Sequence, residues 1–269
     1  MTAVSFRNQT ATPAANYQRH FVPAIAGPAS ADLLAVADLQ PGERVLDVAC
    51  GTGVIARLAA ARVGSTGTVS AIDLSEDMID VAKATPAPPK PVIEWRTGNA
   101  MSLPLDDERY DVVTCQMGLM FMEDRRAALV EMRRVLVAGG RVVVNTPGAI
   151  QAPFALMEQA IVDHISADLG GFVRTVFSMH DPFAVGDHLR DAGFCDVDAQ
   201  QRTATLQLPG PAEFVWQYIN LTPMAPFVAK ATEAAKTAME RQVVETWQPY
   251  VVGGATPVDQ PMVIATGRR

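Results

Sequence analysis

The stretch RVLDVACGTG, residues 44–53, places an acid, a thiol and two glycines directly after a run of strand-forming residues. Asp and Gly are uncommon inside strands, and such breaks of local preference occur often at functional sites. Gly51 and Gly53 permit positive φ and let the backbone approach a ligand closely. The helix predicted to follow offers its unpaired N–H groups to a polar or negative group. The stretch therefore predicts a nucleotide-type ligand site at the end of a strand.

A second carboxylate, Asp73, ends the next predicted strand, TVSAID, where an acid commonly binds the two hydroxyls of a ribose. GTGVIA, residues 51–56, also fits the dinucleotide fingerprint G-x-G-x-x-G/A. Asp47 argues against that assignment, because an acid beside the turn would repel a pyrophosphate and would tolerate a ligand carrying an ammonium and a sulfonium. An NAD(P)-dependent oxidoreductase stays as the alternative, although the chain has no Ser…Tyr-x-x-x-Lys arrangement.

The elements that must position these residues alternate between strand and helix from Val45 onwards. RVLDVA, TVSAID, PVIEWRTGNA, YDVVTCQM and RVVVNTPG are predicted strands, separated by patterns of helical period. Ser75 is the expected N-cap of the second of these helices, and Gly139 and Gly140 are expected to end the helix before the fifth strand. This alternation predicts an α/β fold with a parallel, doubly wound sheet and right-handed crossovers.

The regular alternation ends after the fifth strand, and the chain divides into six predicted segments. Two modest helical stretches are predicted near the N-terminus. The segments are 1–40 (N-terminal helices), 41–148 (ligand-binding core), 149–180 (helical insertion), 181–210 (core helix and strand), 211–256 (second helical insertion) and 257–269 (final core strand).

Composition restricts the class of protein. The net charge of −7 lacks the basic excess of a nucleic-acid-binding protein. Three scattered cysteines argue against a disulfide framework and for a reducing compartment. No signal-peptide pattern and no uninterrupted apolar run of about 20 residues is present. We therefore expect a cytoplasmic protein that neither binds nucleic acid nor inserts in a membrane. We expect it to be a monomer or a homodimer.

Five motifs together resemble the class I S-adenosylmethionine-dependent methyltransferases, in order and spacing. They are VLDVACGTG, the acid of AID at Asp73, GNAMSLPL at 98–105, YDVVTCQMGLMFM at 110–122 and RVLVAGGRVVV at 134–144. The resemblance is strongest to the bacterial small-molecule branch described as ubiquinone/menaquinone-biosynthesis-like, or methyltransferase type 11. It implies a Rossmann-like doubly wound seven-stranded sheet, mostly parallel with the last strand antiparallel, and helical insertions that form a substrate cap. It also implies S-adenosylmethionine as cofactor, S-adenosylhomocysteine as product, and no metal.

The resemblance assigns cofactor contacts to residues of this sequence. The methionine part would be held by Asp47, Ala49, Gly51 and Gly53, and Cys50 is a further cofactor-binding candidate. Asp73 would take the ribose and Gln116 would lie near the ammonium or sulfonium. The adenine would be contacted by Leu74, Met78, Asn99 and Ala100, and Met101 and Phe121 are further cofactor-binding candidates. The N-terminal stretch NYQRHFVP resembles the lid helix that closes over the cofactor, which makes Tyr17 and Phe21 candidate contacts. Ala49 and Asn99 depart from the more frequent Gly and Asp of the family.

The acceptor is expected to be a small hydrophobic or aromatic metabolite, methylated on O, N or C. Nine apolar residues of the insertions would line its pocket, or would only pack the insertions onto the sheet: Phe154, Met157, Phe172, Phe177, Met179, Trp216, Tyr218, Met224 and Phe227. His180 and His20 are the candidate general bases, ahead of His164 and His188. A cofactor-binding module without catalysis is the third hypothesis, and turnover would exclude it.

Overall fold

The computed structural model describes Arg7 and residues 11–269. Seven strands form one sheet in the order β3-β2-β1-β4-β5-β7-β6. The strands are β1 (Arg44–Val48), β2 (Thr68–Asp73), β3 (Ile93–Thr97), β4 (Tyr110–Gln116), β5 (Leu136–Pro147), β6 (Cys195–Leu208) and β7 (Thr256–Arg268). The pairs β1–β2, β1–β4, β2–β3 and β4–β5 are parallel, and β7 runs antiparallel to β5. The predicted fold class, including the reversed last strand, is confirmed.

Helices connect these strands and form most of the remaining chain. They are α1 (Pro13–Asn16), α2 (Gly27–Ala37), α3 (Val54–Val63), α4 (Glu76–Ala84), α5 (Arg125–Val135), α6 (Ala152–His164), α7 (Gly170–Val176), α8 (Pro182–Asp191), α9 (Pro211–Asn220), α10 (Ala225–Ala229) and α11 (Glu233–Trp247). Ser75 caps α4 as predicted, since its hydroxyl accepts a hydrogen bond from the Met78 N–H.

The described chain forms two compact units. The helical unit comprises the described residues up to Pro28 together with Ile150–Val176 and Ala204–Gln260. The sheet unit comprises Ala29–Ala149, Phe177–Thr203 and Pro261–Arg269. The sheet unit holds all of β1 to β5 and buries apolar side chains on both sheet faces. One face has residues such as Leu46 and Val113, and the other has residues such as Val45 and Ile55. Burial on both faces explains why these strands are almost continuously apolar.

Two local predictions are wrong. The two N-terminal helical stretches are one continuous segment, Pro13–Ala37, whose middle part, Tyr17–Ala26, is a π-helix. Pro23 lies inside it and has no N–H to donate, which interrupts the regular α-helical ladder. The second concerns the Gly-Gly pair, which was expected to end a helix. Helix α5 ends at Val135, and Gly139 and Gly140 lie within β5.

The segment Pro13–Ala37 is also long and apolar enough to cross a membrane by length and composition alone. The core helices of soluble proteins pass the same test, so this property carries little weight. The sequence indicated no such segment, because its apolar residues are interrupted by Arg19, His20 and Asp32. The expectation that the chain does not insert in a membrane stays a prediction.

Candidate functional site

The loop after β1 has the backbone that the sequence predicts. Gly51 has a φ of 53° and Gly53 a φ of 84°, and the Gly53 N–H donates to the Cys50 carbonyl at 2.8 Å. Gly53 is the N-cap of α3, so the loop delivers the chain directly into that helix. A Cβ at Gly53 would overlap the ring of Trp95, which lies on β3. The second glycine is therefore required by both its φ and its neighbour.

Asp47 lies beneath this loop and is only 1% exposed. Its carboxylate accepts hydrogen bonds from the Ala56 N–H in the first turn of α3 and from the Thr114 hydroxyl on β4, both at 3.1 Å. Burial raises its pKa to about 7, while these two hydrogen bonds oppose the increase. The carboxylate thus joins β1, β4 and the start of α3. A direct contact of Asp47 with the cofactor stays a prediction, and the buried geometry favours an action through the loop and through charge.

Asp73 joins the loop to the next helix. One carboxylate oxygen accepts from the Gly51 N–H at 2.7 Å, and the other accepts from the Ser75 N–H at 2.9 Å. Burial raises the pKa of Asp73, and the backbone hydrogen bonds oppose that shift. A carboxylate offers about four acceptor positions in all, so Asp73 retains capacity to accept from a ribose hydroxyl. Asp73 can therefore fix the loop and bind a ligand at the same time.

The predicted adenine residues follow β2 and β3, and the further cofactor-binding candidate Phe121 follows β4, so all lie beside the same edge of the sheet. Leu74 and Phe121 are exposed, at 73% and 51%, and Met78 is half-buried on α4. Exposed apolar side chains of this size are expected where a flat aromatic ligand packs.

The predicted loop after β3 forms a tight turn. The exposed Asn99 accepts a hydrogen bond from the Met101 N–H through its side-chain oxygen, at 2.9 Å. Ala100 lies within this turn, half-buried. The Asn99 amide therefore has a local backbone partner, which is the structural alternative to an adenine contact. Its amide NH₂ remains the group that would meet an acceptor on the ligand.

Gln116 at the end of β4 is connected to a residue that sequence reasoning missed. The Asn145 amide donates to the Gln116 side-chain oxygen at 3.4 Å and to the Ala29 carbonyl of α2 at 3.2 Å. The Asn145 oxygen accepts from the Met117 N–H at 3.1 Å. Asn145 is fully buried, and the signal for it is a lone amide in the otherwise apolar strand RVVVNTP. Thr114, the partner of Asp47, interrupts β4 in the same way.

Ala49 adopts a φ of 55°, a left-handed conformation that costs an L-residue roughly 1–2 kcal/mol. Its methyl group lies against the backbone of Gly118, where an added Cβ would be 2.6 Å from the Ala49 Cβ. Gly118 itself has an ordinary φ of −106°. The glycine is thus required for space and not for conformation. The replacement of the family's usual glycine by Ala49 therefore depends on a small residue after β4.

The loop also contains a hydroxyl that fits a polar ligand. Thr52 is 1% exposed, and its hydroxyl has no hydrogen-bond partner within Arg7 and residues 11–269. A buried hydroxyl without a partner is costly, about 1–3 kcal/mol. Together with the positive-φ backbone and the free lone pairs of Asp73, this unsatisfied group fits a bound nucleoside with an amino-acid tail. Sequence reasoning overlooked Thr52 because a Thr between two glycines resembles an ordinary turn residue.

The two cysteines of the site are unreactive in character. Cys50 and Cys115 are buried, and burial raises the pKa of the Cys50 thiol well above its ordinary value and that of Cys115 to about 12. Neither has the thiolate character of a nucleophile at neutral pH. Cys195, at the start of β6, is exposed.

The predicted lid residues belong to the helical unit. Tyr17 and Phe21 stack on each other with ring centroids 4.7 Å apart. His20 is half-buried, and burial lowers its pKa, assisted by Arg19 and opposed by Glu213. These three side chains lie on the π-helix Tyr17–Ala26. Their assigned contacts with cofactor and acceptor stay predictions.

His180, the other candidate base, belongs to the sheet unit. It is exposed, and its Nδ1 lies 3.0 Å from the Phe177 carbonyl oxygen. The predicted acceptor-pocket residues are mostly buried in the packing of their own units. Phe154 and Trp247 both pack against Phe214, at centroid distances of 6.0 and 5.5 Å, whereas Phe227 is exposed. A structural role for most of these residues is therefore supported, and a pocket role stays a prediction.

Metal binding has no support in the described part of the chain. Within Arg7 and residues 11–269, no cluster of three or more His, Cys, Asp or Glu side chains could hold a metal ion.

Comparison with known proteins agrees with this geometry. Residues 45–140 match a family model described as a methyltransferase domain. The chain is 37% identical over 107 residues to a 2-phytyl-1,4-naphtoquinone methyltransferase of Trichormus variabilis, covering 39% of this chain and 47% of the relative. It is 39% identical over 114 residues to a demethylmenaquinone methyltransferase of Symbiobacterium thermophilum, covering 42% and 45%. The chain thus spans about half the length of the curated relatives that it matches.

A solved structure extends the likeness of fold over the whole chain. Phosphoethanolamine N-methyltransferase 2 of Haemonchus contortus, in complex with S-adenosyl-L-methionine, superposes with a TM-score of 0.58. The sequences are 17% identical, and the match covers 100% of this chain and 60% of that one. The fold is therefore shared with this S-adenosylmethionine-bound methyltransferase, and residues 45–140 match the methyltransferase-domain model. The resemblance of the motifs to the quinone-biosynthesis-like branch is confirmed by the naphthoquinone and menaquinone relatives.

Proposed function

We propose that the protein transfers a methyl group from S-adenosylmethionine to O, N or C of a small hydrophobic or aromatic acceptor. The loop after β1 is the observation that carries the proposal. It combines positive φ at Gly51 and Gly53 with a carboxylate, Asp73, that holds the loop and keeps lone pairs for a ribose. The same residues lie within the part of the chain that matches the methyltransferase domain.

The charge beneath the loop supports a cationic cofactor. S-adenosylmethionine carries an ammonium, a sulfonium and a carboxylate, so its net charge is positive. The Asp47 carboxylate, buried under the loop, would become more ionised when that charge arrives, because opposite charges lower the pKa of an acid. A pyrophosphate would have the reverse effect. This argument favours the methyltransferase over the NAD(P)-dependent oxidoreductase.

The acceptor proposal rests on the helical unit and on the relatives. Aromatic and Met side chains are concentrated in α6, α9 and α11, a composition suited to an apolar ligand. The names of two relatives state a 2-phytyl-1,4-naphtoquinone and a demethylmenaquinone as the compounds on which they act. Reduced naphthoquinones and simpler phenols are therefore the first acceptors to test, and phosphoethanolamine is the polar comparison.

S-adenosylmethionine would supply a methyl group bonded to a positively charged sulfur. The nucleophile of the acceptor would bond to the methyl carbon as the carbon–sulfur bond breaks, and S-adenosylhomocysteine would leave. The protein must align acceptor and methyl group and exclude water. For a hydroxyl or carbon nucleophile it must also accept a proton. His20 suits that task because its lowered pKa keeps the ring neutral at pH 7. His180 is the second candidate, and Asp47 is too deeply buried to reach an acceptor.

Calorimetric titration with S-adenosylmethionine, S-adenosylhomocysteine, NAD and NADP is the first test. Binding of the adenosyl pair alone supports the proposal, and binding of a nicotinamide nucleotide alone refutes it. Transfer of radiolabelled methyl to a panel of quinols, phenols and phosphoethanolamine then tests turnover. Binding without transfer to any of a broad panel would favour the inactive cofactor-binding module.

A further inference from the structure

A cavity of about 230 Å³ lies at the end of the sheet opposite the cofactor loop. We call it the amino-edge trough. It is lined by Arg44, Thr68, Val69, Ser70, Val92, Glu94, Arg109 and Tyr110. Arg44, Thr68 and Tyr110 are the first residues of β1, β2 and β4. The cofactor loop and Asp73 lie at the carboxyl ends of the same strands, so the proposed methyltransferase site makes no use of this cavity.

Most charges of the trough are neutralised within the protein. Arg44 forms a two-pronged pair with Asp111, at 2.7 and 3.0 Å. Glu94 is paired with Arg96 and also accepts from the Ser70 hydroxyl at 3.1 Å. These hydrogen bonds hold the pKa values of both acids below their ordinary range, that of Glu94 chiefly through Arg96 and that of Asp111 chiefly through Arg44. Both acids are therefore already committed to other partners.

Arg109 is the charged residue of the trough whose guanidinium has unused hydrogen-bond donors. Its guanidinium lies 3.8 Å from Glu94 and 3.8 Å from Asp106, beyond hydrogen-bond distance, and Asp106 is 93% exposed. Its backbone N–H donates to the Val135 carbonyl at 2.8 Å, but its guanidinium donates no hydrogen bond within Arg7 and residues 11–269. Its side chain lies over the Tyr110 ring, with the guanidinium carbon 5.9 Å from the ring centroid. Arg109 thus presents a planar set of donors at the trough, and its two acidic neighbours contact it only as longer ion pairs.

Tyr110 supplies an independent observation. Its side chain is 1% exposed, and its hydroxyl has no hydrogen-bond partner in the described part of the chain. A buried phenol normally has a partner, and each exception calls for an explanation. An acceptor atom of a ligand in the trough would provide that partner. Val69 and Val92 add apolar surface beside these two polar groups.

We infer that the amino-edge trough binds a small organic anion, a carboxylate or a phosphate monoester, through Arg109 and the Tyr110 hydroxyl. A guanidinium and a neutral O–H donor together match the lone pairs of such a group. The cavity is smaller than the roughly 300–1,000 Å³ of pockets for drug-sized ligands, so the ligand is a small metabolite. The inference stands apart from the proposed function, because none of its residues belongs to the cofactor site.

The test is a titration with acetate, benzoate, inorganic phosphate and phenyl phosphate, monitored by heteronuclear NMR. Chloride keeps the ionic strength equal in all samples. We expect at least one of these anions to saturate at millimolar concentration or below. The Arg109 Nε–H and the amides of Ser70 and Tyr110 should shift. Carboxylates and phosphates are separate arms of this titration, so the preferred anionic group follows from it.

Three variants make the result decisive. Arg109→Gln should weaken binding about tenfold or more, and Tyr110→Phe about fivefold, because each removes one donor to the anion. Arg62→Gln, on the exposed face of α3, removes the same charge elsewhere and should leave the affinity unchanged. Tyr110→Phe keeps the ring and removes an unpaired hydroxyl, so it should not lower the melting temperature. Absence of saturable binding by all four anions would overturn the inference, as would equal affinities in the wild type, Arg109→Gln and Tyr110→Phe.

Discussion

Asp47 shows how one buried side chain couples stability to pH. Its folded-state pKa of about 7 is well above the ordinary pKa of 3.8 for an aspartic acid, so between these two values the folded protein holds a proton that the unfolded chain has released. Between these two values stability therefore falls as pH rises, and it is level below about 4 and above about 7. Each unit of difference corresponds to about 1.4 kcal/mol. Other groups titrate in the same window, so a variant must isolate this contribution.

Asp47→Asn is that variant. It removes the ionisable group at nearly constant shape, and it should flatten the decline of stability between pH 4 and pH 7. The measurement is urea unfolding at a series of pH values. Asp80→Asn, on the exposed face of α4, is the matched control and should leave the profile unchanged. Parallel profiles for Asp47→Asn and the wild type would contradict the assigned pKa.

The contact of Ala49 with Gly118 predicts a coupled pair. Gly118→Ala should lower the free energy of unfolding by about 1–3 kcal/mol, because the new methyl group would overlap that of Ala49. Ala49→Gly alone should change it by less than about 1 kcal/mol, since relief of strain and added chain entropy oppose each other. In the double variant the cost of Gly118→Ala should shrink by at least about 0.5 kcal/mol. Additive effects in a double-mutant cycle measured by urea unfolding would show that the two methyl groups do not meet.

Asp73 has two roles that one experiment can separate. Asp73→Ala should weaken S-adenosylmethionine binding by about 1.5–3 kcal/mol, through loss of charge-assisted hydrogen bonds. Because Asp73 also holds Gly51 and Ser75, that loss alone does not identify a ribose contact. Asp73→Asn should therefore be titrated with S-adenosylmethionine and with its 2′-deoxyribose analogue. A ribose contact predicts a larger penalty for the hydroxylated ligand, and equal penalties would restrict Asp73 to supporting the loop.

At the scale of elements, Asn145 connects β5 to the turn after β4 and to α2. Asn145→Ala would remove the side-chain hydrogen bonds to the Met117 N–H and the Ala29 carbonyl, at a cost of about 0.5–1.5 kcal/mol, because the Met117 N–H keeps its hydrogen bond to the Asn145 backbone carbonyl. We expect a lower melting temperature and weaker cofactor binding, since Gln116 precedes that turn. Gln159→Ala, an exposed amide on α6, is the control. Unchanged stability of Asn145→Ala would indicate that water replaces the amide.

The elements around the loop were predictable because local chemistry and tertiary role agree there. Gly51, Gly53 and Ser75 have backbone requirements that can be recognised from residue type alone. The π-helix Tyr17–Ala26 was not predictable, since Pro23 within an apolar segment indicates a break and not a continuous helix. The roles of Asn145, Thr114 and Thr52 depend on neighbours distant in sequence, which periodicity does not reveal.

At the scale of the whole molecule, the division into two units predicts which amides cofactor binding protects from hydrogen exchange. The residues assigned to the loop, the ribose and the adenine all belong to the sheet unit. S-adenosylmethionine binds the folded state, so it should slow the exchange of sheet-unit amides, most strongly in the loop and the first turn of α3. Hydrogen–deuterium exchange with and without cofactor measures this. Protection confined to residues 150–176 and 204–260 would contradict the assigned site.

The three cysteines differ in burial, so their reaction with an alkylating reagent can report on the opening of the chain around the loop. An alkylating reagent should modify Cys195 at once in the folded protein, whereas Cys50 and Cys115 should react only when the chain around them opens. With Cys195 replaced by Ser, the slow modification rate of the remaining thiols would record transient exposure of the loop region. Since Cys50 lies between Ala49 and Gly51, saturating S-adenosylmethionine should slow its modification. The modification rate of the buried Cys50 thiol would then measure how often the binding loop opens.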